Sequence, residues 1–504
     1  MTPKQRRQRD KGTPSAAQLA KLDHQYVWHP FTQMRDWLRK KPVIIAEGNG
    51  AVLRDVDGRE YLDANSSIWT NLHGHNHPVL NRAIRAQLSR IGHSSALGLA
   101  NEPASILARD LIALANRPGP NPDGFASRHS PTRSPRSNSH SRLAKVFFSD
   151  NGSTAMEVAL KLAYEYARRS GRSRRPRFLS LDGAYHGDTV GAVALGHIDL
   201  FHQSYSRLLF KTDKVMAPYC YRCPFNHARA ERADARDYRK CHWECLDVLE
   251  KKVCRQRKKG NPYAAFVFEP LIQGAAGIIA QPSGWLQRAT GLARTQGALL
   301  VADEVLTGLC RTGSEWFLAS HQEQVQPDFV ALAKGLAGGY MPLAATLTTQ
   351  AVFDAFLGDY AEFKTFFHGH SFTGNPLGAS AAIANLKLLQ DRSGLRWRQR
   401  LESQLRDALR SLWQLPQIGD IRQVGLIAGI ELVKNWRTRE PFALSERAGI
   451  RVCDAMAGKG VLTRPIGNVV VLMPPYCTTQ QQLNRMVESL RESVRTVLGG
   501  AKSI

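Results

Sequence analysis

Apolar residues along this chain follow two rhythms, and the changes between them outline its elements. Between residues 145 and 334, several runs are apolar at nearly every position: KVFFS at 145–149, RFLSL at 177–181, AAFVFEP at 264–270, ALLVADEV at 298–305 and DFVALAK at 328–334. Strands that are apolar on both faces belong to a sheet covered on both sides. The stretches between them have helical spacing, starting with a helix from about Thr154. This alternation predicts the α/β class, with a large, mostly parallel sheet. Beyond about residue 380 the rhythm changes. AAIANLKLLQ predicts a helix, and VGLIAGIEL at 424–432 and NVVVLMPPY at 468–476 predict short strands of a smaller α+β domain. Residues 118–142 combine Pro, Ser, Arg and Asn with one Phe, so a disordered surface loop is expected there.

The chain has 504 residues, 43% of them hydrophobic and 22% charged, the balance of a globular protein with an ample core. No apolar run approaches the roughly 20 residues of a membrane helix, and no apolar stretch follows the basic N-terminus, so a cytoplasmic protein without a membrane partner is expected. Lys and Arg number 68 against 43 Asp and Glu, giving +25. An excess of this size raises the alternative of a basic nucleic-acid-binding protein on an inactive enzyme fold. Most of it sits in residues 1–21, 117–142, 168–177 and 222–259, which together hold 29 basic and 8 acidic side chains. These segments look peripheral, so the reading is a basic halo with no nucleic-acid partner. Cys220, Cys223, Cys241 and Cys245 are spaced as C-x2-C, seventeen residues, then C-x3-C, near a zinc spacing. Reduced thiols on a Cys-rich basic insertion over 219–260, with no metal, are the expectation.

In an open parallel sheet, ligands sit at the carboxyl ends of the strands. Four such ends carry polar residues here. FFSDNGSTAMEVALKLAYEYA passes from strand to helix through Gly152, Ser153 and Thr154, where free N–H groups and hydroxyls make an anion cup suited to a phosphate. ALLVADEVLTG closes on Asp303, a carboxylate that needs a metal, an Arg or a protonated ring nitrogen if it is buried. PDFVALAKGLAGG delivers Lys334 into a glycine-rich turn, where a desolvated amine can form an imine with a carbonyl. SLDGAYHGD places Tyr185 and His186 after a tight turn, offering an aromatic face to a ring, with Asp188 supporting the loop. Phosphate, pyridinium nitrogen and aldehyde would each find a partner, and that combination describes pyridoxal 5'-phosphate.

These segments resemble the class III, fold type I, pyridoxal-phosphate aminotransferases, and within them the branch that aminates 8-amino-7-oxononanoate in biotin synthesis. The resemblance runs from about residue 22 to 495 through VWHPFTQM, SSIWTNLHGHNHP, VADEVLTGLCRTG, ALAKGLAGGYMPLAATL, HGHSFTGNP and LTRPIGNVVVLMPPY. It implies a large cofactor domain over 91–379 and a small domain built from 22–90 and 380–504, behind a basic tail at 1–21. Carried over by position, it implies Gly152 and Ser153 at the phosphate, Tyr185 stacked on the ring and near the substrate, Asp303 at the pyridinium and Lys334 as the Schiff-base lysine. Arg464 would meet the substrate carboxylate, and Phe31, Ile68, Trp69 and Arg311 would line or support the substrate pocket. Gly369, His370 and Ser371 would reach the neighbouring subunit's site, which implies a homodimer. Phe31, Ile68 and His370-Ser371 depart from the Tyr, Trp and Pro-Thr of adenosylmethionine-using members. S-adenosylmethionine remains the expected amino donor, with lysine as the alternative.

Overall fold

In a computed structural model the described residues are 14–117 and 142–499. The loop expected over 118–142 therefore lies outside them, apart from Arg142. The central sheet has seven strands in the spatial order Leu143–Ser149, Ala344–Thr349, Phe329–Leu332, Leu299–Asp303, Ala265–Phe268, Phe178–Leu181 and Asp213–Val215. Only Ala344–Thr349 runs against the others; Val301, for example, pairs in parallel with both Val267 and Phe329. Both faces are covered, as the apolar runs require. Val267, Val301 and Ala331 pack under the Gly152–Arg169 helix with Met156, Ala159 and Ala163. The alternate residues Phe266, Phe268, Leu300 and Ala302 pack on the other face against Leu246, Leu249, Val253, Leu286 and Ala289.

Those last side chains come from two helices, Glu244–Lys258 and Trp285–Thr295. The first corrects the expectation of a peripheral insertion over 219–260. Its charges mask a buried stripe of Cys245, Leu246, Leu249 and Val253 at helical spacing, so the second half of that segment is a core helix. Similarly, the segment expected as a basic tail through residue 21 enters a helix at Ala16, capped by the Ser15 side chain and Gln18. Two strands of the sheet were not apparent in the pattern. Asp213–Val215 is only three residues long, and Ala344–Thr349 carries threonines that the fold buries.

The two ends of the chain meet away from this sheet. Ile45–Asn49, Val52–Asp55 and Glu60–Asp63 form an antiparallel meander, and Val461–Leu462 adds to its last strand in parallel. Ile418–Val424, Ile427–Asn435, Val469–Leu472 and Pro465–Ile466 form a second sheet, with Glu440–Pro441 beside it. Residues 219–239 are fastened to this second sheet by charges turned inward. Fully buried Arg422 donates to Glu431 at 2.6 Å, to Asp420 at 2.9 Å and to the carbonyls of Gly277 and Ile278. Arg222 Nε donates to Glu431 at 2.7 Å, and Arg232 donates to the carbonyls of Trp413, Leu415 and Ile418. Two cations of the expected halo, Arg222 and Arg232, are thus tied to this network, although Arg222 stays open to solvent.

All eight cysteines are free thiols. Burial pushes Cys220 up to about 12 and Cys245 up to about 11, and Arg239 donates to the Cys241 sulfur at 3.2 Å. Among the described residues, no group of three or more His, Cys, Asp or Glu side chains is arranged to hold a metal ion.

Replacing Arg422 with Met should leave Glu431 and Asp420 buried without their main cation, at a cost of about 3–5 kcal/mol. Urea unfolding of the purified variant checks this. A loss below about 1 kcal/mol would mean that Arg222 alone sustains Glu431.

Candidate active site

The Leu299–Asp303 strand ends at the carboxyl edge with a carboxylate that is 5% exposed. Among the described residues, no guanidinium or lysine forms a salt bridge with it. Its partner is His186, whose Nδ1 lies 2.7 Å from Asp303 Oδ2, and Asp303 Oδ1 accepts the Val305 N–H at 3.1 Å. The opposite ring nitrogen of His186 is buried without a hydrogen-bond partner. The sequence located His186 beside Tyr185 but gave it no role. The structure makes it the group that orients Asp303.

Lys334 follows the neighbouring strand Phe329–Leu332 at a left-handed φ of 43°. Burial pushes its amine below the ordinary lysine value, while the carboxylates of Asp303, Glu269 and Asp188 pull the other way. Its Nζ lies 5.4 Å from the centre of the Trp69 ring. The glycines after it have a packing reason. A Cβ on Gly335 would meet Leu72 side-chain carbons at 2.9 Å, and one on Gly339 would meet Asn71 Cα at 2.7 Å, so the Leu72 side chain and the 70–71 backbone lie directly on this turn.

The expected anion cup falls at the N-terminus of the Gly152–Arg169 helix. Asn151 caps the Gly152–Arg169 helix by accepting the Thr154 N–H, and the Ala155 N–H goes to Asn151 O. The N–H groups of Gly152 and Ser153, which no intrahelical bond can satisfy, face out of the first turn. A Cβ on Gly152 would lie 2.8 Å from Val305 Cγ1, which shows how closely this turn approaches the one after Asp303. Ser153 Oγ accepts the Asp188 N–H at 3.1 Å, and Gly187 passes so close to Ser153 that any side chain there would collide with it. The Tyr185 loop is thereby fixed against the cup. The Tyr185 hydroxyl donates to Asp188 at 2.7 Å, and burial raises its pKa well above the usual phenol value.

Other candidates lie further out. Phe31 and Ile68 are exposed, at 59% and 46%, and both have positive φ. Phe31 packs edge-on against Phe201, which in turn lies edge-on to Tyr185, so it borders the same cleft. Arg464 is exposed between Val461–Leu462 and Pro465–Ile466, and Ile466 shares an apolar cluster with Trp69. Ser371 and Gly369 are exposed, while His370 Nδ1 lies 3.2 Å from Asp150 of the same chain, next to the cup. Arg311, expected to line or support the substrate pocket, lies behind the site. It is 1% exposed and spends its guanidinium on the carbonyls of Pro474 and Asn71, so it braces the wall behind the site.

Sequence reasoning missed Glu269. Like Asp303, it follows a strand that is apolar on both faces, and that repeated pattern is the signal that could have found it. It accepts the Gly274 N–H at 2.7 Å and the Tyr185 N–H at 3.3 Å. Burial pushes its carboxyl up to about 7, against the pull of His186. Glu304, also pushed up to about 7 by burial, instead ties down Ala319 and Ser320.

A buried amine of lowered pKa, a buried carboxylate held by histidine and a helix N-terminus that approaches the carboxylate's turn fit the three polar ends of pyridoxal phosphate. Fold and site together define a pyridoxal-phosphate-dependent aminotransferase. The chain matches the aminotransferase class-III family over residues 34–494 and belongs to that family. It is 44% identical over 482 residues to the adenosylmethionine-8-amino-7-oxononanoate aminotransferase of Geobacter sulfurreducens, covering 96% of this chain and 98% of that one. The crystal structure of the Methanocaldococcus jannaschii protein of the same name superposes with a TM-score of 0.83 at 35% identity, over 95% of this chain and 99% of that one. A PLP-bound amine transaminase from an uncultivated Pseudomonas species gives a TM-score of 0.81 at 31% identity, over 94% and 99%.

Glu269 sets a pH signature. Unfolded, its carboxyl ionises near 4.5; folded, it keeps its proton to about 7. The native state binds more protons in that interval, so Glu269 withdraws stability as pH rises. Relative to wild type, Glu269→Gln should gain about 3 kcal/mol between pH 4.5 and 8. Urea midpoints of both proteins across that range measure the gain, and a constant difference would contradict it.

Proposed function

We propose that this aminotransferase moves an amino group onto 8-amino-7-oxononanoate, giving 7,8-diaminononanoate for biotin synthesis, with S-adenosylmethionine as donor. The observation that carries this reading is near full-length identity of 37–45% to several relatives named for that acceptor and donor. The site supports it residue by residue. Gly152 and Ser153 would receive the phosphate of the cofactor, Asp303 would keep its ring nitrogen protonated, and Lys334 would hold it covalently. The cofactor supplies a sink for the electron pair left when a C–H bond beside the amine ionises. Lys334, with an amine made less basic by burial, is the group placed to carry that proton. His186 pairs with Asp303, and Tyr185 and Trp69 would border the reacting carbon. Arg464 would take the acceptor carboxylate as a planar, permanently charged fork.

We further propose a cytoplasmic homodimer. The segments around residues 91–99 and 360–372 leave Leu97 91%, Tyr360 93% and Phe367 71% exposed. They meet through the His93 and Phe372 rings, 4.7 Å apart, and through Asn101, which donates to Gly374 O. Exposed apolar side chains on these segments, next to the cup through His370 and Asp150, suit a second copy of the chain, whose Gly369, His370 and Ser371 would then border the neighbouring site. Among the described residues no helix is long and apolar enough to cross a membrane.

Lys334→Ala should abolish turnover and the cofactor adduct trapped by borohydride, with mass spectrometry finding that adduct on Lys334 in the wild type. Arg464→Ala should raise KM for 8-amino-7-oxononanoate by about tenfold or more, equivalent to about 1.4 kcal/mol. An unchanged KM would favour another ω-amino-acid or diamine acceptor. Half-reactions settle the donor. Bleaching of the cofactor band by lysine but not by S-adenosylmethionine would replace the proposed donor, an outcome that the loss of a phenol and an indole at Phe31 and Ile68 makes worth testing.

A further inference from the structure

Four consecutive residues beside the active site, Ser66, Ser67, Ile68 and Trp69, have positive φ, between 46° and 71°. At Ser67 and Ile68, ψ is 54° and 53°, so the backbone there turns as a left-handed helix. L-residues avoid this region, a β-branched isoleucine most strongly, and such a conformation persists only where its surroundings enforce it. The turn has a consequence at the site, because it ends on the indole that stands 5.4 Å from Lys334 Nζ.

The enforcement converges on one carboxylate. Asp63 ends the Glu60–Asp63 strand and is 2% exposed. Its Oδ1 accepts the N–H groups of Asn65 at 3.2 Å and Ser67 at 3.0 Å; its Oδ2 accepts the Ser67 hydroxyl at 2.9 Å and pairs with His75 Nε2 at 2.9 Å. His75 is itself fixed. Its other ring nitrogen lies 3.0 Å from Asn71 Nδ2, and its backbone exchanges hydrogen bonds with Gly50. Beyond the carboxylate, the Ser66 hydroxyl donates to Met473 O, and the Trp69 indole donates to Asn65 Oδ1 at 2.8 Å. Burial works against the charged carboxylate, yet hydrogen bonds from His75 and Ser67 outweigh it and hold Asp63 below the ordinary aspartate range.

We propose that Asp63 and His75 are positioning residues for the transamination: they clamp Ser66–Trp69 in a left-handed turn so that Trp69 faces the Lys334 amine and Ile68 lines the cleft. Neither touches the reacting atoms. Their contribution is the posture of the wall against which an amino donor or acceptor is held, and misplacement of such a wall is costly to rate. The inference rests on the aminotransferase reading, so the wild-type holoenzyme is assayed first with 8-amino-7-oxononanoate and each donor; failure there would fall on the substrate assignment and leave the clamp to be tested with any amine that bleaches the cofactor band.

Asp63→Asn holoenzyme should keep the cofactor band on Lys334 while kcat/KM for the half-reaction falls by about tenfold to a hundredfold. The distinguishing measurement is a double-mutant cycle with Ile68→Gly. Glycine occupies positive φ without penalty and has less need of a clamp, so the loss caused by Asp63→Asn should shrink at least about threefold in the Ile68→Gly background. An equal loss in both backgrounds, or no loss in either, would overturn the proposal. If Asp63→Asn does not fold, Ser67→Ala and His75→Gln carry the same test. Lower kcat/KM with the cofactor band retained, relieved by Ile68→Gly, supports the clamp; unchanged kcat/KM or unrelieved loss overturns it.

Discussion

A carboxylate buried at the carboxyl edge of the central sheet organises this protein. Removing Asp303 from water costs several kcal/mol unless something compensates, and in the chain by itself that compensation comes from His186 at 2.7 Å and a backbone N–H. For His186 to be there, the loop after Phe178–Leu181 must turn sharply and lie on the first turn of the Gly152–Arg169 helix, and Gly187 permits that contact with Ser153. The same closeness brings Tyr185 beside the cup and leaves Lys334 buried on the adjacent strand end. One desolvated charge therefore ties together three loops that are remote in sequence.

The second layer of the site is built from backbone rather than from charge. The glycines at 335 and 339 let residues 70–72 lie on the lysine turn, and Arg311 is spent on the carbonyls of Asn71 and Pro474. The segments that follow the N-terminal meander and the C-terminal sheet are thus held to the lysine turn by close packing on glycine and by one buried guanidinium on main-chain carbonyls. Phe31, Ile68 and Arg464, proposed above to meet the substrates, are by contrast exposed.

The basic character of the chain proved to have two physical origins. On Glu244–Lys258, cations crowd the outer face and the last turn of a helix whose inner face is core, and that last turn is where positive charge complements the helix dipole. Around Arg222, Arg232 and Arg422 the charge is consumed by buried carboxylates and by carbonyls that would otherwise be orphaned. Composition counts both kinds alike, although the second is spent on partners within the protein.

Local pattern was enough to place the strands that end in Asp303 and Lys334, the cup at Gly152 and Ser153 and the loop of Tyr185, because apolar runs, capping residues and glycine turns act over a few neighbouring positions. Motif resemblance added the cofactor chemistry. What it could not contain was distance between segments far apart in sequence. The pairing of His186 with Asp303, the burial of Glu269, the retreat of Arg311 into the wall and the inward-facing half of the 219–260 segment all depend on which surfaces meet. So does the left-handed turn at Ser66–Trp69, since nothing in the letters SSIW favours positive φ. That conformation exists because Asp63, His75 and Met473, brought together by tertiary packing, supply hydrogen bonds that the local backbone could not find in a relaxed form.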